Sequence, residues 1–205
     1  MLEDGQETVQ TLRDATSPSQ ERLLFLRRYL AHPLRVAAVL PSPPELGRLI
    51  AEEIPDPGQR FVLEIGVGTG TVSRELLRRI PEEQLLLVEV DDEMCRWLRR
   101  RFPRATVVHG NALELDRILP AECRSGNIAA VVSGIPVVHF SMSSKRTFVE
   151  QAFNAMSDEG PLLQYTYLPV PPLPRQAFDI EATRAGVAFG PLAPLFLWRF
   201  TRRPR

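Results

Sequence analysis

From Arg60 onward the chain repeats one unit: a short apolar run rich in leucine or β-branched residues, then a stretch with helical spacing. "RFVLEIG" precedes "TVSRELLRRI", "QLLLVEV" precedes "DEMCRWLRRRF", "ATVVHG" precedes "LELDRIL", and "IAAVVSGIP" precedes "SKRTFVEQAFNAM", with "PLLQYTYLPV" following. Such alternation dictates βαβ crossovers, and hence an α/β fold built on a mostly parallel, doubly wound sheet. After Pro171 the rhythm changes. "RQAFDIEATRAG" predicts one more helix, and "VAFGPL" with "LFLWRFTRR" predicts an antiparallel hairpin closing one edge. No internal repeat or low-complexity segment interrupts the series.

Two helices are expected ahead of the sheet. One starts with Ser17 as cap, Pro18 in the first turn and Gln20 completing a capping box, and stops near Ala31 ahead of Pro33. The other has Ser42 as cap and Glu45 as its reciprocal partner, and ends before Pro55. A length of 205 residues suits a single domain over 1–205, with the helical segment at 17–54 and the sheet at 60–205.

Charge and cysteine content narrow the function. Lys+Arg 25 balance Asp+Glu 25, so no overall field draws the chain onto nucleic acid, and attraction to anions has to be local. Cys95 and Cys123 form no CxxC pair and are too few for a disulfide scaffold, which fits a reducing cytoplasm. "MLEDGQETVQ" lacks a basic-then-apolar leader and no charge-free apolar run reaches ~18 residues, so neither a signal peptide nor a membrane span is expected. His32, His109 and His139 are scattered, and no metal site is expected.

"VLEIGVGTG" places Gly66, Gly68 and Gly70 on alternate positions between the first strand and a helix opening at Thr71. Glycines there let the backbone approach a ligand, and the helix start suits a phosphate or an amino-acid carboxylate alike. The residues around the turn separate the two. Glu64 stands two positions before Gly66, where a dinucleotide fold would bury an apolar residue. Glu89 ends the second strand about twenty residues past Gly70, where a carboxylate accepts both hydroxyls of a ribose. Asp91 is the competing choice, and Glu89 is preferred because it directly ends the apolar run. Asn111 and Ala112 follow the third strand, and the Asn111 side-chain oxygen can accept from an adenine amine. In this order the residues resemble the class I S-adenosylmethionine-dependent methyltransferases, which carry an acidic residue facing the methionine ammonium and Asp-Ala at the adenine. The resemblance implies their Rossmann-like seven-stranded sheet, with S-adenosyl-L-methionine as donor, S-adenosyl-L-homocysteine as product and no metal.

The acceptor is read from the fourth strand. "VVSGIPVVHF" falls where adenine-directed members carry Asn-(Leu or Pro)-Pro-(Tyr or Phe). Ser133 is read as replacing the asparagine and Val137 the aromatic; valine offers a base no stacking platform, which argues against adenine. "FLRRYLAHPLRVAAVLPSPPEL", "VLEIGVGTGTVSREL", "VVSGIPVVHF" and "FLWRFTRR" together resemble the bacterial phospholipid N-methyltransferases, over nearly the whole chain after Gln20. That resemblance implies up to three methylations of phosphatidylethanolamine to phosphatidylcholine. It also implies a cytoplasmic enzyme held peripherally at the inner face of the cell membrane by its N-terminal helix, with 17–54 as a membrane-binding and substrate cap. An rRNA adenine dimethyltransferase and a non-catalytic membrane module are the competing functions.

The expected N-terminal helix can be read independently of that resemblance, and its pattern leaves two readings open. At 100° per residue, Leu23, Phe25, Leu26, Tyr29 and Leu30 fall within roughly 160°, with Arg27 and Arg28 outside that arc. Arg22, Arg27, Arg28 and Arg35 make a basic patch with no acidic residue among them. Such a helix either lies in a lipid interface, each arginine adding on the order of 1 kcal/mol near anionic headgroups, or packs on its own sheet. His139, just past "SGIPVV", is a candidate proton acceptor or headgroup contact for an amine that arrives as ammonium. Tyr29, Tyr165 and Tyr167 are candidates to line the headgroup with rings and hydroxyls, Tyr165 having a core role as its other reading. Arg35, Lys145 and Arg146 are candidates for the lipid phosphate.

Overall fold

The computed structural model describes residues 43–124, 126–190 and 193–203, all within the unit Pro41–Arg205. The helix expected from Ser17, and with it Arg22, Leu23, Phe25, Leu26, Arg27, Arg28, Tyr29 and Arg35, lies outside the described residues, as does Ser42. The described elements are α1 (Pro44–Glu53), β1 (Phe61–Ile65), α2 (Thr71–Leu76), β2 (Leu85–Glu89), α3 (Asp92–Arg101), β3 (Thr106–His109), α4 (Leu115–Ile118), β4 (Ile128–Ser133), α5 (Met142–Ala155), β5 (Leu162–Thr166), α6 (Arg175–Phe178), β6 (Ile180–Phe189) and β7 (Pro194–Arg202).

The strands form one seven-stranded sheet in the order β3-β2-β1-β4-β5-β7-β6. β1 to β5 pair in parallel, and β7 is antiparallel to both β5 and β6. The order turns back on itself at β1, whose neighbours are β2 on one side and β4 on the other. β2 and β4 are buried throughout, which is why "LLLVE" and "IAAVVS" read as unbroken apolar runs rather than alternating ones. Leu63, Ile65, Leu86, Val88, Val131, Leu162, Trp198 and Phe200 pack with Leu115 of α4 and with Phe148, Val149, Ala152 and Phe153 of α5. On the opposite face α1 lies against α2, β6 and β7. Fully burying a leucine or valine stabilises by ~1.5–3 kcal/mol, so two such layers hold the strand ends in fixed relation.

Helix α1 begins one residue later than expected and has no side-chain cap: its N-cap is Pro43, at φ −60° and ψ 143°. Pro44 at the first helical position disfavours helical geometry at Pro43, which is why the helix opens after it, and the Ser42 side of the expected capping box lies outside the described residues. The other end has no basic residue of its own. Arg79 Nη1 instead donates to the Ala51 carbonyl at 2.6 Å, and Arg199 Nη1 to the Glu53 carbonyl at 2.9 Å, so distant arginines answer the orphan carbonyls and the dipole. Leu46 and Ile50 are fully buried. This part of the 17–54 segment is therefore a packed helix of the sheet layers.

The helix expected over "RQAFDIEATRAG" is corrected. Only Arg175–Phe178 is helical; Asp179 turns left-handed at φ 51°, and Ile180–Phe189 is an edge strand in register with β7 from Ile180↔Arg202 to Phe189↔Pro194. The ladder with β7, and burial of Ile180 and Ala188, outweigh the modest helix preference of "EATRA". The expected hairpin exists with a longer first strand than the one read from "VAFGPL".

Candidate active site

Successive strand exits meet around β1. Gly66 N donates to the Val88 carbonyl at 2.9 Å, and Gly134 N to the Ile65 carbonyl at 2.9 Å, so the loops leaving β1 and β4 are tied to neighbouring strand ends. Gly66 has φ +71°, and a Cβ there would stand 2.7 Å from Ile135 Cγ2, so only glycine lets these two loops touch. Gly68 and Gly70 also have positive φ, at 56° and 70°. Where the strand order reverses, a crevice opens outside the carboxyl ends, which is where ligands lie in open α/β sheets.

Glu64 is 1% exposed and accepts a 2.6 Å hydrogen bond from Ser73 Oγ of α2. Its Oε1 is buried without a partner among the described residues. Burial pushes its carboxyl up to about 8, the Ser73 hydroxyl pulls it down and the Glu89 carboxylate pushes it further up. A cationic ligand group would relieve this site, since it favours the ionised form that burial disfavours. Glu89 Oε2 accepts from Gly68 N at 3.1 Å, and Oε1 accepts from Val90 N at 2.8 Å and Asp91 N at 3.2 Å. That carboxylate therefore spans the glycine turn and the exit of β2. Asp91, the competing carboxylate, caps α3, accepting from Met94 N at 2.9 Å. Asn111 Oδ1 accepts from Leu113 N at 3.0 Å, capping the 3-10 turn Ala112–Glu114, and a second lone pair remains for a ligand amine.

These groups fit S-adenosylmethionine: an orphaned acidic oxygen for its ammonium, a carboxylate at the β2 end for its ribose hydroxyls, and Asn111 and Ala112 for its adenine. Val90, 67% exposed beside Glu89, adds an apolar surface for a flat ring.

The β4 exit needs a correction. A four-residue motif with its aromatic position at Val137 begins at Gly134, so the asparagine's place falls to Gly134 and not to Ser133. Ser133 is in register with Ile65 and Gln164, on the sheet face opposite Glu64, with 0% exposure and an unpartnered hydroxyl. A ligand on the glycine turn would not reach that side chain. Gln164 Nε2 donates to the Ile135 carbonyl at 3.1 Å and to the Tyr165 carbonyl at 2.9 Å, fixing the loop after β4 to the end of β5. Tyr165 alternates to the Glu64 face and is half-buried. His139 is exposed at the end of the 3-10 turn Val137–His139. Lys145 lies in the first turn of α5, whose cap Ser141 accepts from Ser144 N at 3.1 Å. Arg146 is drawn elsewhere: Nη2 donates to the Ala177 carbonyl at 3.3 Å and the guanidinium stacks 5.4 Å from the Phe178 ring centroid, on the helix leading into β6. It does not join Lys145 at the strand exits.

Ser73 and Gln164 were not singled out from the sequence. Both carried a signal, a serine on the sheet-facing side of "TVSREL" and a glutamine inside the apolar "PLLQY". Burial of a polar side chain at such places demands a partner.

Residues 62–160 match a family model described as a methyltransferase domain. An ornithine lipid N-methyltransferase of Singulisphaera acidiphila is 32% identical over 152 residues, 71% of this chain and 78% of that protein. A ribosomal RNA small subunit methyltransferase A of Acidobacterium capsulatum is 37% identical over 92 residues, but this match spans only 31% of that protein. Among solved structures, a TehB-like SAM-dependent methyltransferase of Corynebacterium glutamicum superposes with a TM-score of 0.58 at 16% identity, covering 91% of this chain and 100% of that one, a likeness of fold. The sheet order, the acidic and glycine residues at its carboxyl ends and these relatives place the chain in the class I S-adenosylmethionine-dependent methyltransferases, with a lipid N-methyltransferase among its relatives.

Proposed function

We propose that this enzyme methylates the primary amine of a membrane aminolipid at a bilayer surface, with phosphatidylethanolamine as acceptor and phosphatidylcholine as the final product. The observation that carries this reading is the placement of exposed apolar side chains. Among the described residues the large ones standing in solvent are Val90, Met142, Leu168, Val170 and Phe189. Val90 follows β2 and belongs with the donor side of the site, whereas Met142 opens α5 after β4, and Leu168 and Val170 follow β5. Phe189, 73% exposed, ends β6, which two antiparallel pairings turn back into the direction of β5. All of them therefore lie along the carboxyl edge of the sheet, the edge on which the site opens, with Phe189 at the β6 end of that edge. Exposed apolar groups concentrated on one edge suit insertion into a lipid interface, whereas a soluble partner of the opposite edge would have no use for them.

The donor supplies a methyl group on a sulfonium; the protein's part is to bring a neutral amine into line with it. Lys145 is assigned to the lipid phosphate and His139 to the ammonium proton or the headgroup, while the basic segment carrying Arg22, Arg27, Arg28 and Arg35, outside the described residues, suits anionic headgroups by its sequence. The neutral charge balance weighs against a nucleic-acid partner, and the resemblance to phospholipid N-methyltransferases favours a cytoplasmic enzyme attached to the inner membrane face. A second acceptor, an ornithine lipid, is favoured by the relative that is 32% identical.

Radiolabelled donor incubated with vesicles of phosphatidylethanolamine, vesicles containing ornithine lipid, and ribosomal RNA separates these readings. Label in mono-, di- and trimethylated phosphatidylethanolamine is expected. Label in ornithine lipid alone moves the acceptor assignment, and label in RNA alone overturns the lipid reading.

A further inference from the structure

We infer that the Tyr165 hydroxyl, delivered from β5 into the space above Gly134, is the hydrogen-bond acceptor that orients the substrate amine for the first two methyl transfers. This rests on the aminolipid reading above and adds the group that reads the nitrogen.

A Cβ at position 134 would collide with the Tyr165 hydroxyl, and would stand 2.8 Å from Cζ of the same ring and 2.9 Å from the Gly66 carbonyl oxygen. The phenol thus fills the volume that a side chain at 134 would fill, directly beside the glycine turn. In the four-residue pattern with Val137 in its aromatic place, residue 134 is where the adenine-directed enzymes present a polar side chain. Here the glycine vacates that place and a neighbouring strand supplies the polar atom. Gln164 holds the arrangement, because its amide binds the Ile135 carbonyl on one side and the Tyr165 carbonyl on the other. Tyr165 also shares the sheet face of Glu64, so its ring lies on the ligand side of the sheet while Ser133 and Gln164 lie on the other.

Before each transfer the ammonium gives up one proton, through the His139 side of the site or directly to water. The freed nitrogen lone pair then forms the new N–C bond while the C–S bond of the sulfonium donor breaks, its electron pair staying on sulfur. The first two products are therefore ammonium ions, and the third is a quaternary ammonium with no proton to lose. A neutral primary or secondary amine retains an N–H after deprotonation. That N–H can donate to the phenol oxygen while the lone pair faces the methyl group. A neutral dimethylated amine has no N–H left, so the same oxygen cannot orient it. The third transfer is therefore the internal control.

The test is Tyr165→Phe, which keeps the ring and removes only the hydroxyl. Single-turnover rates are measured on vesicles of phosphatidylethanolamine, its monomethyl form and its dimethyl form, together with S-adenosylhomocysteine affinity by calorimetry and the thermal midpoint. The first two rates are expected to fall about 10- to 100-fold, the range for losing one orienting hydrogen bond, with the third falling less than about threefold. Product affinity and midpoint are expected to stay at wild-type values. Equal slowing of all three steps, or a parallel loss of product affinity, assigns Tyr165 a packing role and overturns the inference. Unchanged rates overturn it too, while leaving the lipid reading intact. A wild-type enzyme that labels none of the three lipids removes the lipid reading and this inference with it.

Discussion

Around the ends of β1 and β2 the chain closes its polar groups on itself. Glu89 holds Gly68, Val90 and Asp91, Ser73 holds Glu64, and Asp91 caps α3. Around the ends of β4, β5 and β6 it instead leaves Met142, Leu168, Val170 and Phe189 in solvent, and ties the loop after β4 through Gln164 Nε2 and the Gly134 N–H. The first region is built to bind one small molecule of fixed shape, the second to meet a surface. A preorganised cradle and an apolar rim should respond to different insults, and that separation can be attacked.

The largest effect is expected at Glu89. Glu89→Ala removes a carboxylate accepting three backbone N–H bonds. Charge-assisted bonds contribute ~1.5–3 kcal/mol each, so calorimetry should show S-adenosylhomocysteine affinity reduced by more than about 100-fold. Sedimentation with vesicles should not change. A loss of vesicle binding of similar size would mean that the two regions are one mechanical unit.

Glu64 gives the next largest effect and has a sign. Burial holds its carboxyl at about 8, against an ordinary value of 4.5. The folded chain therefore binds more protons than the unfolded one between those values, and the stability this group contributes is fully present below the lower and lost as pH rises through the upper. Donor binding selects the ionised form. Affinity should climb by up to about tenfold per pH unit between pH 6 and 8 and then level off. Glu64→Gln should flatten that climb, measured by calorimetry across pH; a slope that survives the substitution moves the titrating group elsewhere.

Much of the cradle was legible in the chain, because glycine spacing and strand-end carboxylates are local patterns. Glu64, Glu89 and the three glycines stand on successive strand exits as their order required. What escaped was decided by partners far away in sequence. "RQAFDIEATRAG" carries a helical pattern, yet β7 captures it as an edge strand. Ser133 stands one position before the motif's first place, which Pro136 and Val137 fix at Gly134, and its register with Ile65 and Gln164 turns it to the face opposite Glu64. Arg146 looked like a partner for Lys145 until α6 supplied a carbonyl and a ring. The gathering of apolar residues at one edge had no local pattern at all, since it depends on β6 running parallel to β5.

The rim should respond more weakly and only on its own side. Burying a phenylalanine side chain is worth ~1.5–3 kcal/mol, so Phe189→Ser should reduce partition onto vesicles by about 10-fold. Affinity for S-adenosylhomocysteine should be untouched. Equal partition of the variant and the wild type would remove the β6 end from the lipid-facing edge and confine that role to the β4 and β5 exits.

The smallest expected effect lies on the boundary between the regions. Gln164 is 1% exposed, and its Oε1 is buried without a partner among the described residues, as is Nε1 of its register neighbour Trp198. Gln164→Leu removes an orphaned buried acceptor but frees the Ile135 and Tyr165 carbonyls. Gains and losses of ~1 kcal/mol each oppose one another, so the thermal midpoint should barely move. The loop after β4 should nevertheless loosen over the acceptor side. Lipid turnover should then fall about fivefold, the consequence of a small misplacement in an in-line transfer, while S-adenosylhomocysteine affinity holds. If affinity falls in step with turnover, the contact of Ile135 with Gly66 transmits the disturbance into the cradle, and the boundary belongs to both regions.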